Sequence, residues 1–167
     1  MLKTLPDNPY IIGRPIWEPE YFFGREDLFY FIQDNLKQDV KVILLHGQRR
    51  IGKSSTLAQI PNFVKLDKFV FISLSLEGKS QKFLYEVLYE LAEDIRDHLI
   101  NDWKLTKDEI TLPSLQDFQE KIQVFTEIFL PEVYRVLDDK NLVLLLDEFD
   151  ILGEHNQGTA INHFFPY

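Results

Sequence analysis

Gly47-Gln48-Arg49-Arg50-Ile51-Gly52-Lys53-Ser54 meets the pattern G-x-x-x-x-G-K-[ST] at every defined position. The chemistry behind that spacing is anion binding. Gly47 and Gly52 permit backbone turns that side-chain-bearing residues resist, so consecutive N–H groups can converge on one hollow. A helix beginning where the loop ends aims its unpaired N–H groups and positive dipole end at the same point. The Lys53 ammonium suits the β- and γ-phosphates of ATP or GTP. The Ser54 hydroxyl is a hard oxygen ligand for Mg2+. Ser55 offers a further hydroxyl to the α-phosphate.

A second group lies far downstream. Leu142-Val143-Leu144-Leu145-Leu146-Asp147-Glu148 is an apolar run that ends in two acids. A buried strand here would deliver Asp147 to the carboxyl edge of a sheet, where ligands of open α/β sheets bind. Asp147 would hold Mg2+ through water, and Glu148 would orient and deprotonate an attacking water. Alone, such a pair is as often a solvated strand end; the loop upstream gives it weight. Asp150 reads as a turn or helix cap, and His46, His155 and His163 lack the spacing of a metal cluster.

The elements that must position these residues follow from hydrophobic patterning. Val40 to Leu45 is a short β-branched run and predicts a buried strand entering the loop. A helix from about Lys53 to Ile60 should follow, ended by Pro61. Phe69 to Leu76 predicts a second strand. Leu142 to Leu146 predicts a third, unbroken as suits a parallel strand covered on both faces.

Glu26 and Asp27 open a helical pattern with Leu28, Ile32 and Leu36 one turn apart. From Ser80 to about Ile100, Phe83, Leu84, Val87, Leu88, Leu91, Ile95 and Leu99 line one helical face. Ser114 and Asp117 form an N-cap pair for a helix carrying Phe118, Ile122, Phe125 and Phe129 inward. Pro131 should kink or restart it. Gly153 to Gly158 predicts a loop, and Thr159 to Phe165 the start of another helix. Strands alternating with helices predict an α/β fold with a mostly parallel sheet.

Residues 1–23 carry Pro6, Pro9, Pro15 and Pro19, which exclude a regular helix and predict an extended arm. Its apolar members, among them Tyr10, Ile16, Trp17 and Phe22, predict that it packs on the domain formed by residues 24–167. Acids outnumber bases 27 to 18, a net charge of −9, which argues against broad nucleic-acid binding. There is no cysteine, which removes disulfides and thiolate chemistry, and no apolar run spans a bilayer. A cytoplasmic protein is the expectation.

Phe23-Gly24-Arg25-Glu26, the run Leu44 to Ser55, and Leu146-Asp147-Glu148-Phe149-Asp150 together resemble the signal-transduction STAND NTPases and their archaeal ATPase relatives. Those belong to the AAA+-like P-loop class with an additional catalytic glutamate. Asn8 to Gly13 also resembles the N-terminal segment of bacterial STAND-type proteins. The resemblance covers about Asn8 to Asp150 and is only architectural between the motifs. The loop is specific for the superfamily, and the Phe-Gly-Arg element narrows it.

The resemblance implies a three-layer α/β/α P-loop core and a nucleotide switch. ATP binding, slow hydrolysis and nucleotide-controlled self-association of attached effector or sensor domains would follow. It also implies that the arm and the Gly24-Arg25 turn flank the adenine. Ile11, Ile12 and Phe23 would be pocket walls and Arg25 a nucleotide contact. Core packing accounts equally well for the three apolar residues, and helix capping or ion pairing for Arg25. Arg49 and Arg50 read as solvent-exposed.

In this class a further strand with a polar sensor residue inserts between the acidic strand and the P-loop strand, and an arginine finger and lid follow. The chain given ends at Tyr167 without counterparts for them, so the core is expected to be incomplete here. Two other readings stand beside the switch: a nucleic-acid-remodelling ATPase and a non-hydrolysing nucleotide-binding module.

Overall fold

The computed structural model describes residues 13–79, 81–103 and 105–149. The chain divides into two compact units, Met1–Leu66 and Asp67–Tyr167, and each is described by itself. The expected loop at 153–158, the expected helix at 159–165, and Ile11, Ile12, Asp150, His155 and His163 lie outside the described residues.

In the first unit, helix α1 spans Glu26–Lys37 and helix α2 spans Lys53–Phe63. Arg25 precedes α1 in the left-handed region (φ 67°), and its carbonyl accepts the first helical N–H groups, from Leu28 and Phe29. Glu26 and Asp27 then lie at the positive end of the helix dipole. The buried residues are Phe29 and Ile32 on α1, with Ile60 and Val64 from α2 and its end. Phe29 stacks on Phe63 at 4.9 Å between ring centres, and Phe22 of the arm closes the trio at 5.7 and 6.0 Å.

Two expectations for this unit are corrected. Pro61 does not end α2, which continues to Phe63. A proline removes one amide donor, and a helix with neighbours on both sides of the gap can absorb that loss near its end. Residues 40–45, expected as a buried strand, form no ladder. Val40, Val42 and Leu44 are exposed, Leu44 by 74%, while Ile43 and Leu45 are half-buried. A strand exists only where a neighbour accepts and donates its backbone hydrogen bonds, and this segment has none among the described residues.

The second unit is mixed α/β. Strand β1 (Phe69–Ser75) and strand β2 (Asn141–Asp147) pair in parallel, from Phe69 opposite Asn141 to Ser75 opposite Asp147. The ladder is extended at both ends, by Asn141 N–H to the Lys68 carbonyl and Leu76 N–H to the Asp147 carbonyl. Three helices make the crossover: α3 (Leu84–Trp103), α4 (Leu115–Glu120) and α5 (Leu130–Leu137). A parallel pair requires a long connection of this kind.

Side chains alternate across a strand, so Val70, Ile72 and Leu74 share a face with their partners Leu142, Leu144 and Leu146. That face packs on Val87, Leu91, Ile95 and Leu99 of α3, and on Val133 and Leu137 of α5. Phe118 and Phe129 are wholly buried in the same core. Each such side chain stabilises the fold by about 1.5–3 kcal/mol.

The Ser114–Asp117 cap forms as expected. The Ser114 hydroxyl accepts the Asp117 N–H, and the Asp117 carboxylate accepts the Ser114 N–H at 2.8 Å. The single helix expected beyond it does not. Lys121 is extended (φ −150°), α4 stops, and a π turn at Phe125–Phe129 leads into α5 with Pro131 in its first turn. Phe125 and Phe129 both reach the core from this π turn. α3 also begins later than expected, leaving Phe83 66% exposed before its first turn. Both strands fall where predicted, although only Leu145 of β2 is fully buried.

Candidate functional site

The phosphate-loop residues lie in the first unit. Gly52 is the N-cap of α2 at φ 90°, a conformation that costs a side-chain-bearing residue about 1–2 kcal/mol. Gly47 is needed for another reason. Its φ is not positive, but a Cβ there would lie 3.2 Å from the Ile51 Cγ2, so a side chain at 47 would make Ile51 give way by a few tenths of an ångström. Arg50, at φ 64°, supplies a second left-handed turn that no glycine announced.

Lys53 turns back over this loop. Its Nζ donates to the carbonyls of Gly47 at 3.0 Å and Gln48 at 3.2 Å. An ammonium carries three donors, so by valence one N–H remains for a further acceptor. Ser54 is the half-buried second residue of α2. The N–H groups of that first turn have no acceptor within the helix, because the i−4 carbonyls precede it. A glycine N-cap offers no side-chain acceptor, and no acid stands in the first turn. α1 and α4, by contrast, place acids there. Gln48, Arg49 and Arg50 are exposed.

Arg25 reaches the same loop. Its Nη2 donates to the Ile51 carbonyl at 2.6 Å. It therefore supports the loop backbone, a role between the two that the sequence suggested. Phe23 is 73% exposed.

Ser55 is buried and its hydroxyl is engaged. It accepts the N–H of Ile16 from the arm at 3.0 Å. One helical turn on, Gln59 donates its Nε2 to the Ile16 carbonyl at 2.9 Å. Gln59 is 0% exposed, and its Oε1 accepts from Asn62 at 2.9 Å. The predicted packing of the arm thus runs through its backbone as well as through Phe22, while Trp17 is 57% exposed. Sequence reasoning missed this clamp. Its only signal was a glutamine on the apolar side of a short helix.

The acidic residues lie in the second unit, at the carboxyl end of β2. Asp147 stands opposite Ser75 in register, on the sheet face away from α3. Its Oδ1 accepts the N–H of Glu148 at 3.0 Å, which orients the carboxylate. Glu148 is exposed and takes φ 56°, a strained conformation for a residue with a Cβ. The strand end is therefore a built turn that lifts Glu148 off the ladder. Phe149 folds back onto the core. Among the described residues, no group of three or more His, Asp or Glu side chains comes together as a metal site, and no helix is long and apolar enough to cross a membrane.

Set against known proteins, the chain matches no family model, no curated protein and no solved structure.

Proposed function

We propose that the chain binds Mg-ATP or Mg-GTP through Gly47–Ser54 and hydrolyses it as part of a nucleotide-switched signal-transduction NTPase. The observation that carries this reading is the start of α2. An uncapped first turn follows a left-handed glycine, with Lys53 folded across the loop carbonyls and no acid in that turn. The complete G-x-x-x-x-G-K-[ST] pattern supplies that arrangement with a polyphosphate as its ligand.

The class reading extends to a three-layer P-loop core. The parallel pairing of β1 with the acid-ended β2 agrees with it.

The resemblance would assign Mg2+ to the Ser54 hydroxyl and the Asp147 carboxylate, each a hard oxygen donor of the kind that ion takes. The ion, when bound, supplies charge neutralisation to the phosphates. In hydrolysis, Glu148 takes a proton from water as its oxygen bonds to the γ-phosphorus. The bridging β–γ P–O bond breaks, and its electron pair stays on the β-phosphate oxygen, beside the Lys53 ammonium.

Calorimetry with Mg-ATP and Mg-GTP, paired with phosphate release, tests the proposal. Heat of binding with turnover is expected. Binding without turnover would make this a non-hydrolysing module, and no heat with either nucleotide would overturn the reading.

A further inference from the structure

We propose that Ser55 and Gln59 are positioning residues that couple the arm to the phosphate site, so that docking of residues 13–17 and occupancy of the loop reinforce each other. This rests on the phosphate-binding reading and adds a regulation of that same site.

Both polar groups of one arm residue are gripped. The Ile16 N–H goes to the Ser55 hydroxyl and its carbonyl accepts from Gln59. Ser55 and Gln59 are four residues apart on α2 and so lie one above the other on one face. Together they treat Ile16 as a neighbouring strand would, through side chains. Gln59 sits at 0% exposure, where a buried amide is costly unless each end is bonded. Asn62 satisfies its oxygen, and among the described residues the Ile16 carbonyl is the acceptor for its Nε2. The docked arm both covers that donor and supplies its acceptor. The helix is built for the docked arm.

Ser55 carries the coupling because it belongs to both sides. It lies in the first turn of α2, where the helix presents its N–H groups to an anion. Its hydroxyl accepts from Ile16 through a lone pair and keeps its own proton to donate. Donation of that proton to a phosphate oxygen polarises the O–H bond and strengthens the bond it accepts from Ile16. The linkage is reciprocal: an anion that tightens the arm is itself held more tightly when the arm is docked.

The test follows exchange of the Ile16 amide hydrogen by NMR in the full chain, with and without Mg2+ and the imido analogue of ATP. Calorimetry is run on the same samples. In the native sequence, nucleotide should slow Ile16 exchange about tenfold, a typical coupling. Gln59→Leu should abolish that slowing and weaken nucleotide affinity about fivefold while the protein still melts cooperatively. Ser55→Ala should lose the nucleotide-dependent slowing and Ser55→Thr should regain it. A merely structural Gln59 would lower the melting temperature and leave the nucleotide-dependent difference intact, which overturns the coupling. Bound nucleotide with unchanged Ile16 exchange in the native chain overturns it too, and leaves the phosphate reading standing. Absence of binding heat overturns both.

Discussion

Arg25 Nη2 and the Ile51 carbonyl lie 2.6 Å apart, so the residue that starts α1 holds the loop that starts α2. A hydrogen bond from a charged donor contributes about 1.5–3 kcal/mol at most, and less at an exposed position such as this one. Arg25→Ala should therefore lower affinity for Mg-ATP about fivefold to tenfold by calorimetry, with Arg25→Lys recovering part. Unchanged affinity in Arg25→Ala would separate this contact from nucleotide binding.

Lys53→Ala and Glu148→Gln should fail in different ways. The first removes the ammonium that bonds Gly47 and Gln48, and nucleotide binding should be lost below detection by calorimetry. The second keeps the size of the side chain and removes the base. It should bind nucleotide as the native chain does and release phosphate at least about a hundredfold more slowly, the usual scale of general-base catalysis. Retained affinity in the lysine variant would count directly against the phosphate reading.

The two loop glycines should respond to different rescues. Gly52→Ala places a Cβ at φ 90° and should lower the melting temperature of its unit by about 4 °C per kcal/mol of strain, whatever its neighbours are. Gly47→Ala meets the Ile51 Cγ2, and Ile51 is 48% exposed. Shortening Ile51 to Ala in the same chain should restore most of what Gly47→Ala loses. Thermal melts of these three variants, with Ile51→Ala alone as the control, decide it. No recovery in the double variant would place the demand for Gly47 elsewhere.

The second unit should lose stability in acid. Hydrogen bonds from Ser114 hold Asp117 below its ordinary value of 3.8, and those from Thr106 hold Glu109 below 4.5. Burial alone would raise Glu90, but hydrogen bonds from Lys79 and Lys82 outweigh it and hold it below 4.5 as well. A carboxylate with a depressed folded pKa stabilises above its unfolded value, and that contribution disappears as pH falls through the folded one. Asp94 has the opposite sign, since burial raises it above 3.8. Asp94→Asn should raise the melting temperature at pH 7, with the gain vanishing once pH falls below its unfolded value. Melting curves across pH check both signs, and a destabilised Asp94→Asn protein at neutral pH would sink the second.

Much of the architecture is written in local pattern. Val87, Leu91, Ile95 and Leu99 recur at helical spacing, and α3 forms with all four wholly or almost wholly buried. Ser114 and Asp117 are three residues apart, and the cap closes through backbone groups already within reach. Short apolar runs bounded by polar residues marked β1 and β2. For α3 and the cap the deciding interactions lie within a turn or two of chain, whereas β1 and β2 also needed each other across the ladder from Phe69 to Asn141.

What remained was decided by partners distant in sequence. Val40 to Leu45 has the composition of a strand, yet composition cannot supply a neighbour, and without one there is no ladder. The helix expected from Ser114 onward breaks at Lys121, whose extended backbone ends α4, although Phe118, Phe125 and Phe129 are spaced to share one helical face and all three reach the core. Gln59 looked like an ordinary polar residue until Ile16, 43 positions away, set its carbonyl against it. By itself the sequence marked the candidate phosphate loop and which segments favour helix or strand, since those depend on residue type and short spacing. Only the tertiary structure decided which backbone groups find one another across the chain, because a hydrogen bond has no energy until its second partner arrives.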